Sequence, residues 1–338
     1  MATTTENKAL PIGSIGTRSH SENLWLVAIR RLFRQRSGVA GMIVLAFLVL
    51  VAISAPLIAP YDPNQSLIGV EDIRKRTAPC VHALGCSTDE PQHWMGVDGN
   101  VRDVFSRLVY GARISLFVGF VTIGSAVIVG TVLGAIAGYV GGWVDDVIMR
   151  IMDVLLAFPF LLLTIAITSA LRTLFDNNKG LEDTFKGSMP EFVFDQRALV
   201  YAMFAIAIVS IPAYARVIRS TVLSIKEEEY VSAARSIGNR PIRILFLHVL
   251  PNAFPPLIVV ATLGIGTAIL ETAALSFLGL GAQPPTPEWG SMLASERNQL
   301  FSAPHLVLFP GLAIMITVLG FNLLGDGLRD ALDPRLRL

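Results

Sequence analysis

Six apolar segments constrain this chain more than any other feature. They are Val39–Ile58, Ile114–Tyr139, Val147–Leu171, Leu199–Ala215, Leu257–Leu278 and Leu306–Leu324. Each approaches or exceeds the ~20 residues needed to cross a hydrocarbon core. Hydrocarbon supplies no hydrogen-bond partners, so each backbone must satisfy itself as a helix. Composition agrees: 53% of residues are hydrophobic and 16% charged, against about 25% charged in soluble domains. The expected fold is all-α, a polytopic membrane protein with six transmembrane helices.

Orientation follows from the basic residues, which favour the cytoplasmic side. Lys8, Arg18, Arg30, Arg31, Arg34 and Arg36 precede the first segment and place the N-terminus in the cytoplasm. Six crossings return Arg329, Arg335 and Arg337 to the same side. The polar lead and the 20-residue apolar run exceed a cleavable signal, whose apolar region spans ~7–15 residues. An uncleaved signal anchor is expected. The tail before Glu22 reads as disordered, and Leu24–Phe33 as an interfacial helix or a plain positive anchor, with Trp25, Ala28, Ile29 and Leu32 on one face.

The chain then divides into a tail at 1–37, a first transmembrane helix at 38–58, an extracytoplasmic loop at 59–110, a five-helix domain at 111–328 and a cytoplasmic tail at 329–338. The outer loop holds both cysteines, Cys80 and Cys86. Its oxidising side favours a disulfide; free thiols, or metal ligation with His82 and His93, are the alternatives. No metal site is expected.

Within the second segment, Ala126, Gly130, Gly134, Gly138 and Gly142 recur every four residues. Such a stripe of small residues lets two backbones approach closely, within one bundle or between subunits. At the start of the third segment Arg150 and Asp153 are spaced for a local ion pair, and Pro159 is expected to bend the helix. Glu271 is an ionisable residue inside a segment, which marks it as a pathway candidate or as an outer-interface acid bonded to a neighbouring helix.

No metalloprotease, nucleophile-elbow or phosphate-loop motif occurs. Any work against a gradient must draw on a partner or an ion. The charged stretch Glu227–Asn252 offers a handle for one. Arg216, Arg219, Lys226, Arg235, Arg240 and Arg243 put it in the cytoplasm. Glu229 to Ile237 fits a short helix with Tyr230, Ala233 and Ala234 on one face, and Gly238 is a natural stop.

Ala233-Ala234, Gly238 and Leu250-Pro251 have the spacing of the EAA signature, with Ser232 where Glu is usual and His248 where Ile is usual. The chain thereby resembles binding-protein-dependent ABC importer permeases. It is similar in particular to the C-type permease subunit of dipeptide and oligopeptide importers. That resemblance rests on Ala55–Pro63, Trp94–Leu116, Gly138–Pro159, Ser276–Gly290 and Asn322–Arg335, and runs from Arg30 to the end.

The resemblance implies a type I ABC-importer permease fold in a bacterial cytoplasmic membrane, with a coupling loop at 219–252. It implies three kinds of partner besides lipid: a second homologous permease, two cytoplasmic ABC ATPase subunits or domains, and an extracytoplasmic solute-binding protein. Nucleic acid is not expected. ATP and Mg would sit on the ATPases and no cofactor on this chain, which is then no enzyme by itself. Glu229, Tyr230, Ala233, Ala234, Arg235 and Gly238 would dock, with Glu229 and Arg235 pairing across the contact and Leu250-Pro251 fixing the return to the membrane. The substrate implied is a di- or oligopeptide; nickel chelates and glutathione are served by the same subunit type. The outer stretch 67–92 is expected to be where this chain differs from relatives. An ion-coupled secondary transporter using Glu271 is the alternative class, but the repeats with paired broken helices expected of it are not seen.

Overall fold

The computed structural model describes residues 29–176 and 196–332. The expected tail, residues 24–28 of the interfacial helix and residues 333–338 lie outside them. Residues 29–32 are helical, and Leu32 packs beside Gly38.

The main helices are α1 (Arg36–Ile58), α2 (Val104–Val140), α3 (Gly142–Ala157), α4 (Phe160–Asp176), α5 (Arg197–Ile225), α6 (Glu229–Ser236), α7 (Leu250–Phe277), α8 (Trp289–Glu296) and α9 (His305–Leu332). A short helix, Pro241–Ile244, and a π-turn, Leu245–Val249, lead into α7. Five helical stretches are long and apolar enough to cross a membrane, and α3 with α4 passes the same test only as a pair bent by 100°. The bend expected at Pro159 is there, as a 100° break between α3 and α4. Pro159 disfavours a helical residue before it, and Phe158 is extended, at φ −90° and ψ 142°.

Caps and packing, rather than apolarity, set the helix ends. α2 begins at Val104, ten residues before its apolar run, because Asp103 accepts the Ser106 N–H at 2.7 Å. Past Ala215, α5 continues by ten residues and carries Arg216 and Arg219 out of the apolar zone.

The α2–α5 seam is the most extensive helix pairing. A Cβ on Gly130 would lie 2.8 Å from that of Tyr214, and one on Gly138 would lie 2.9 Å from the Arg219 carbonyl oxygen. The small-residue stripe thus packs inside the bundle. It stops at Gly138, because Gly141 and Gly142 adopt φ of +71° and +58° at the turn and a Cβ on Gly142 meets nothing within 4 Å. Glycines serve the α1–α9 crossing in the same way, where a Cβ on Gly41 would lie 2.8 Å from the Gly320 carbonyl oxygen.

Candidate functional site

The C-terminal end of α5 runs through Lys226 into α6. At its far end α6 closes in a Schellman turn: the Gly238 N–H donates to Arg235 O at 3.0 Å and the Asn239 N–H to Ala234 O at 3.3 Å. Gly238 sits at φ +83°, the left-handed region where a side chain is strained, and a Cβ there meets no neighbour within 4 Å. Conformation rather than crowding within this chain requires glycine.

The two alanines divide. Val231 and Ala234 are buried against Ile218, Val222, Ile244 and Val249, so Ala234 fastens α6 to its own bundle instead of presenting a face. The face left open carries Tyr230, Ala233 and Ile237, with Arg235 also exposed. Ile237, 81% exposed, together with Ile242 and Phe246 extends it. None of these three was among the residues expected to dock; the available signal was bulky apolar residues in an otherwise charged loop. The Asn252 amide donates to the Tyr230 hydroxyl at 3.3 Å and to His248 O at 2.7 Å. Leu250 is buried and Pro251 stands in the first turn of α7.

Above this loop, α3 is tied to α5. Arg219 pairs with Asp145, and Arg216 Nη2 donates to Asp153 Oδ1 at 2.6 Å. The expected Arg150–Asp153 pair gives way because α3 packs along α5 and brings Arg216 to Asp153. Lys226 Nζ donates to Gly138 O at 3.2 Å, and the Tyr139 hydroxyl donates to Pro241 O at 2.9 Å.

Glu271 is half-buried on α7, six residues or about 9 Å of helix before Phe277 closes α7. Its neighbours Leu270 and Ala274 line an apolar groove of about 480 Å³ with Leu161, Phe277 and Ile314, but Glu271 does not.

On the other side, residues 59–103 form a cap stitched to the α7–α9 connection. Glu296 accepts from Arg76 Nε at 2.9 Å and from the Gly99 N–H at 2.8 Å. Arg107 Nη1 donates to Pro63 O and Pro285 O. Cys80 and Cys86 are joined in a disulfide, which leaves no thiolate for a metal. Glu288 caps α8 through the Gly290 and Ser291 N–H groups; burial raises its pKa against the pull of those bonds.

His93 is not a metal ligand either. It is 3% exposed, stacked on Tyr61, with Nδ1 2.8 Å from Asp103 and Nε2 3.0 Å from Glu71. An imidazole between two carboxylates satisfies both only as the doubly protonated cation. Burial opposes that charge, but the hydrogen bonds to Asp103 and Glu71 prevail and raise its pKa above 6.5. Burial, then the Glu71 charge, pushes Tyr61 to about 12, so it stays neutral and donates to Glu71.

A raised folded-state pKa stabilises the cap fully below the unfolded value and loses that contribution as pH climbs through the folded value. The expected result is a melting temperature that falls on raising pH beyond the ordinary imidazole range, with a shallower fall in His93→Gln. Identical pH profiles for the two proteins would refute the bracketed cation.

A bundle of membrane-length helices with a short protruding helix at one end and a cap at the other is the architecture of a transporter's membrane component. Residues 130–338 match the model of the binding-protein-dependent transport system inner membrane component, and residues 23–79 match that of the N-terminal TM domain of oligopeptide transport permease C. The chain belongs to the former family: it is a multi-span inner-membrane permease subunit of an ABC importer and not itself an ATPase. It is 45% identical to the dipeptide transport system permease protein DppC of Alkalihalophilus pseudofirmus, over 93% of this chain and 90% of that one. It is 41% identical to the glutathione transport system permease protein GsiD of Pectobacterium atrosepticum, over 93% and 92%. An inward-facing structure of the MetNI methionine ABC transporter aligns with a TM-score of 0.51 at 18% identity, covering 67% of this chain and 96% of that one. That likeness establishes the type I permease fold.

Proposed function

We propose that this chain forms, with a second homologous permease, the membrane pathway for short peptides that a solute-binding protein delivers from outside. Two cytoplasmic ATPase subunits, binding ATP and Mg, drive it between inward- and outward-facing states. The observation that carries this reading is α6, a short helix anchored by Val231 and Ala234 and ended by a left-handed glycine. It leaves Tyr230, Ala233 and Ile237 exposed, on the side that this reading gives to the cytoplasm. A rigid handle on the stem of a membrane helix suits transmission of a partner's movement by a two-state element. On this reading both termini and the coupling loop, 219–252, face the cytoplasm, and Glu229 and Arg235 pair with the ATPase.

Peptide is favoured over nickel chelates because the relatives above are named for a dipeptide and for glutathione, itself a short peptide. Co-purification tests the assembly: a tagged chain should emerge with a second permease and ATPase subunits, and uptake in liposomes should require ATP. A chain that emerges alone and imports solute without ATPase subunits would overturn it. Binding of dipeptides and glutathione by the partner solute-binding protein decides between those two substrates.

A further inference from the structure

The helix α3 makes few apolar contacts within this chain. Of its sixteen residues only Asp145 and Met152 are buried, while Trp143 is 77%, Ile151 53% and Val154 55% exposed. Its apolar exposed side suits lipid or the second permease, so within this chain its lateral position depends on few groups. Its distal end is the 100° break at Phe158–Pro159, where no helical hydrogen bonding stiffens the joint to α4. What ties it laterally to α5 is a pair of salt bridges. Arg216 and Arg219 stand one turn apart on α5 and hold Asp153 and Asp145, two turns apart on α3. The pairs differ in exposure: Asp145 and Arg219 are 12% and 33% exposed, Asp153 and Arg216 55% and 50%. The same stretch of α5 continues directly into α6.

We propose that Asp145–Arg219 and Asp153–Arg216 latch α3 to α5, so that displacement of α6 by a docked partner is carried through α5 into α3 and flexes the Phe158–Pro159 break. The sheltered pair is the bolt that keeps α3 on α5, and the exposed pair sets its angle. These four are positioning residues: they touch no solute, and they act by moving the broken helix in step with the handle. The inference rests on the reading that α6 docks on an ATPase.

The test uses the full complex in liposomes with Asp153→Asn, Arg216→Gln and the exchanged pair Asp153→Arg with Arg216→Asp. Both single variants should co-purify with the ATPase subunits yet hydrolyse about tenfold more ATP per solute imported, a coupling loss of ordinary size. The exchanged pair should restore the ratio, which a merely structural defect would not do. An unchanged ratio in both single variants overturns the latch and leaves ATPase docking standing; a wild-type chain that binds no ATPase removes the docking reading and the latch with it. Should the variants fail to assemble, nitroxide labels at Trp143→Cys and Ser220→Cys decide the matter in a complex whose partner subunits have been cleared of free cysteines, since Cys80 and Cys86 are bonded and do not label. The latch requires one distance in nucleotide-free and ATP-trapped states; a change of about a helical turn, ~5 Å, overturns it.

Discussion

Replacing Gly238 with Asp leaves the chain inserted in the membrane but abolishes ATPase association and uptake. Three effects converge. The left-handed conformation at φ +83° costs a residue with a Cβ roughly 1–2 kcal/mol, although Asp and Asn tolerate it better than most. A carboxylate at the C-terminal end of α6 opposes the helix dipole by about 0.3–1 kcal/mol. Above all, a Cβ here meets no neighbour within 4 Å among the described residues, so the charge is added to the open side of α6, where a partner would dock. Gly238→Asn separates the causes: it has the same shape and backbone preference without the charge, and should retain most uptake. Co-purification with the ATPase subunits and uptake in liposomes are the readouts. Full activity of Gly238→Asp would remove the α6 turn from the mechanism.

Gly134→Leu prevents assembly of the bundle, and Gly134→Ala lowers the melting temperature of the purified chain in detergent. A Cβ at this position would come within 3.0 Å of both the α-carbon and the carbonyl carbon of Ala215, and backbone cannot rotate aside as a side chain can. Overpacking of this kind costs about 1–3 kcal/mol, with the larger residue at or beyond the upper end. Gly124→Ala is the control. It lies on the same helix, a Cβ there meets nothing within 4 Å, and removing a helical glycine gains roughly 0.5–1 kcal/mol. Equal effects of Gly134→Ala and Gly124→Ala would show that close backbone approach is not what holds α2 to α5.

Much of the architecture was legible in residue order. Apolar length located the helices, and the four-residue recurrence of Gly130, Gly134 and Gly138 named the face on which α2 packs. Ala233-Ala234, Gly238 and Leu250-Pro251 located the handle, because a left-handed stop and a proline in the first turn are local chemistry. Other features depended on what lies far away in sequence. Residues two turns apart on α3 find two arginines on α5, so Asp153 answers Arg216 and not its neighbour Arg150. Two adjacent alanines look alike until the bundle buries Ala234 and leaves Ala233 open. His93 reads as one of five scattered histidines until folding sets Asp103 and Glu71 against its two nitrogens.

By itself, then, the order of residues determined that this chain is a membrane-spanning helical bundle, since a backbone in hydrocarbon has few ways to satisfy its hydrogen bonds. Only the tertiary structure decided that the third span breaks by 100°, which face of α6 is offered, and which charges join α3 to α5. Span formation depends on the hydropathy of consecutive residues. A break angle, an offered face or an ion pair depends on which helices lie alongside, and spacing within one helix does not contain that.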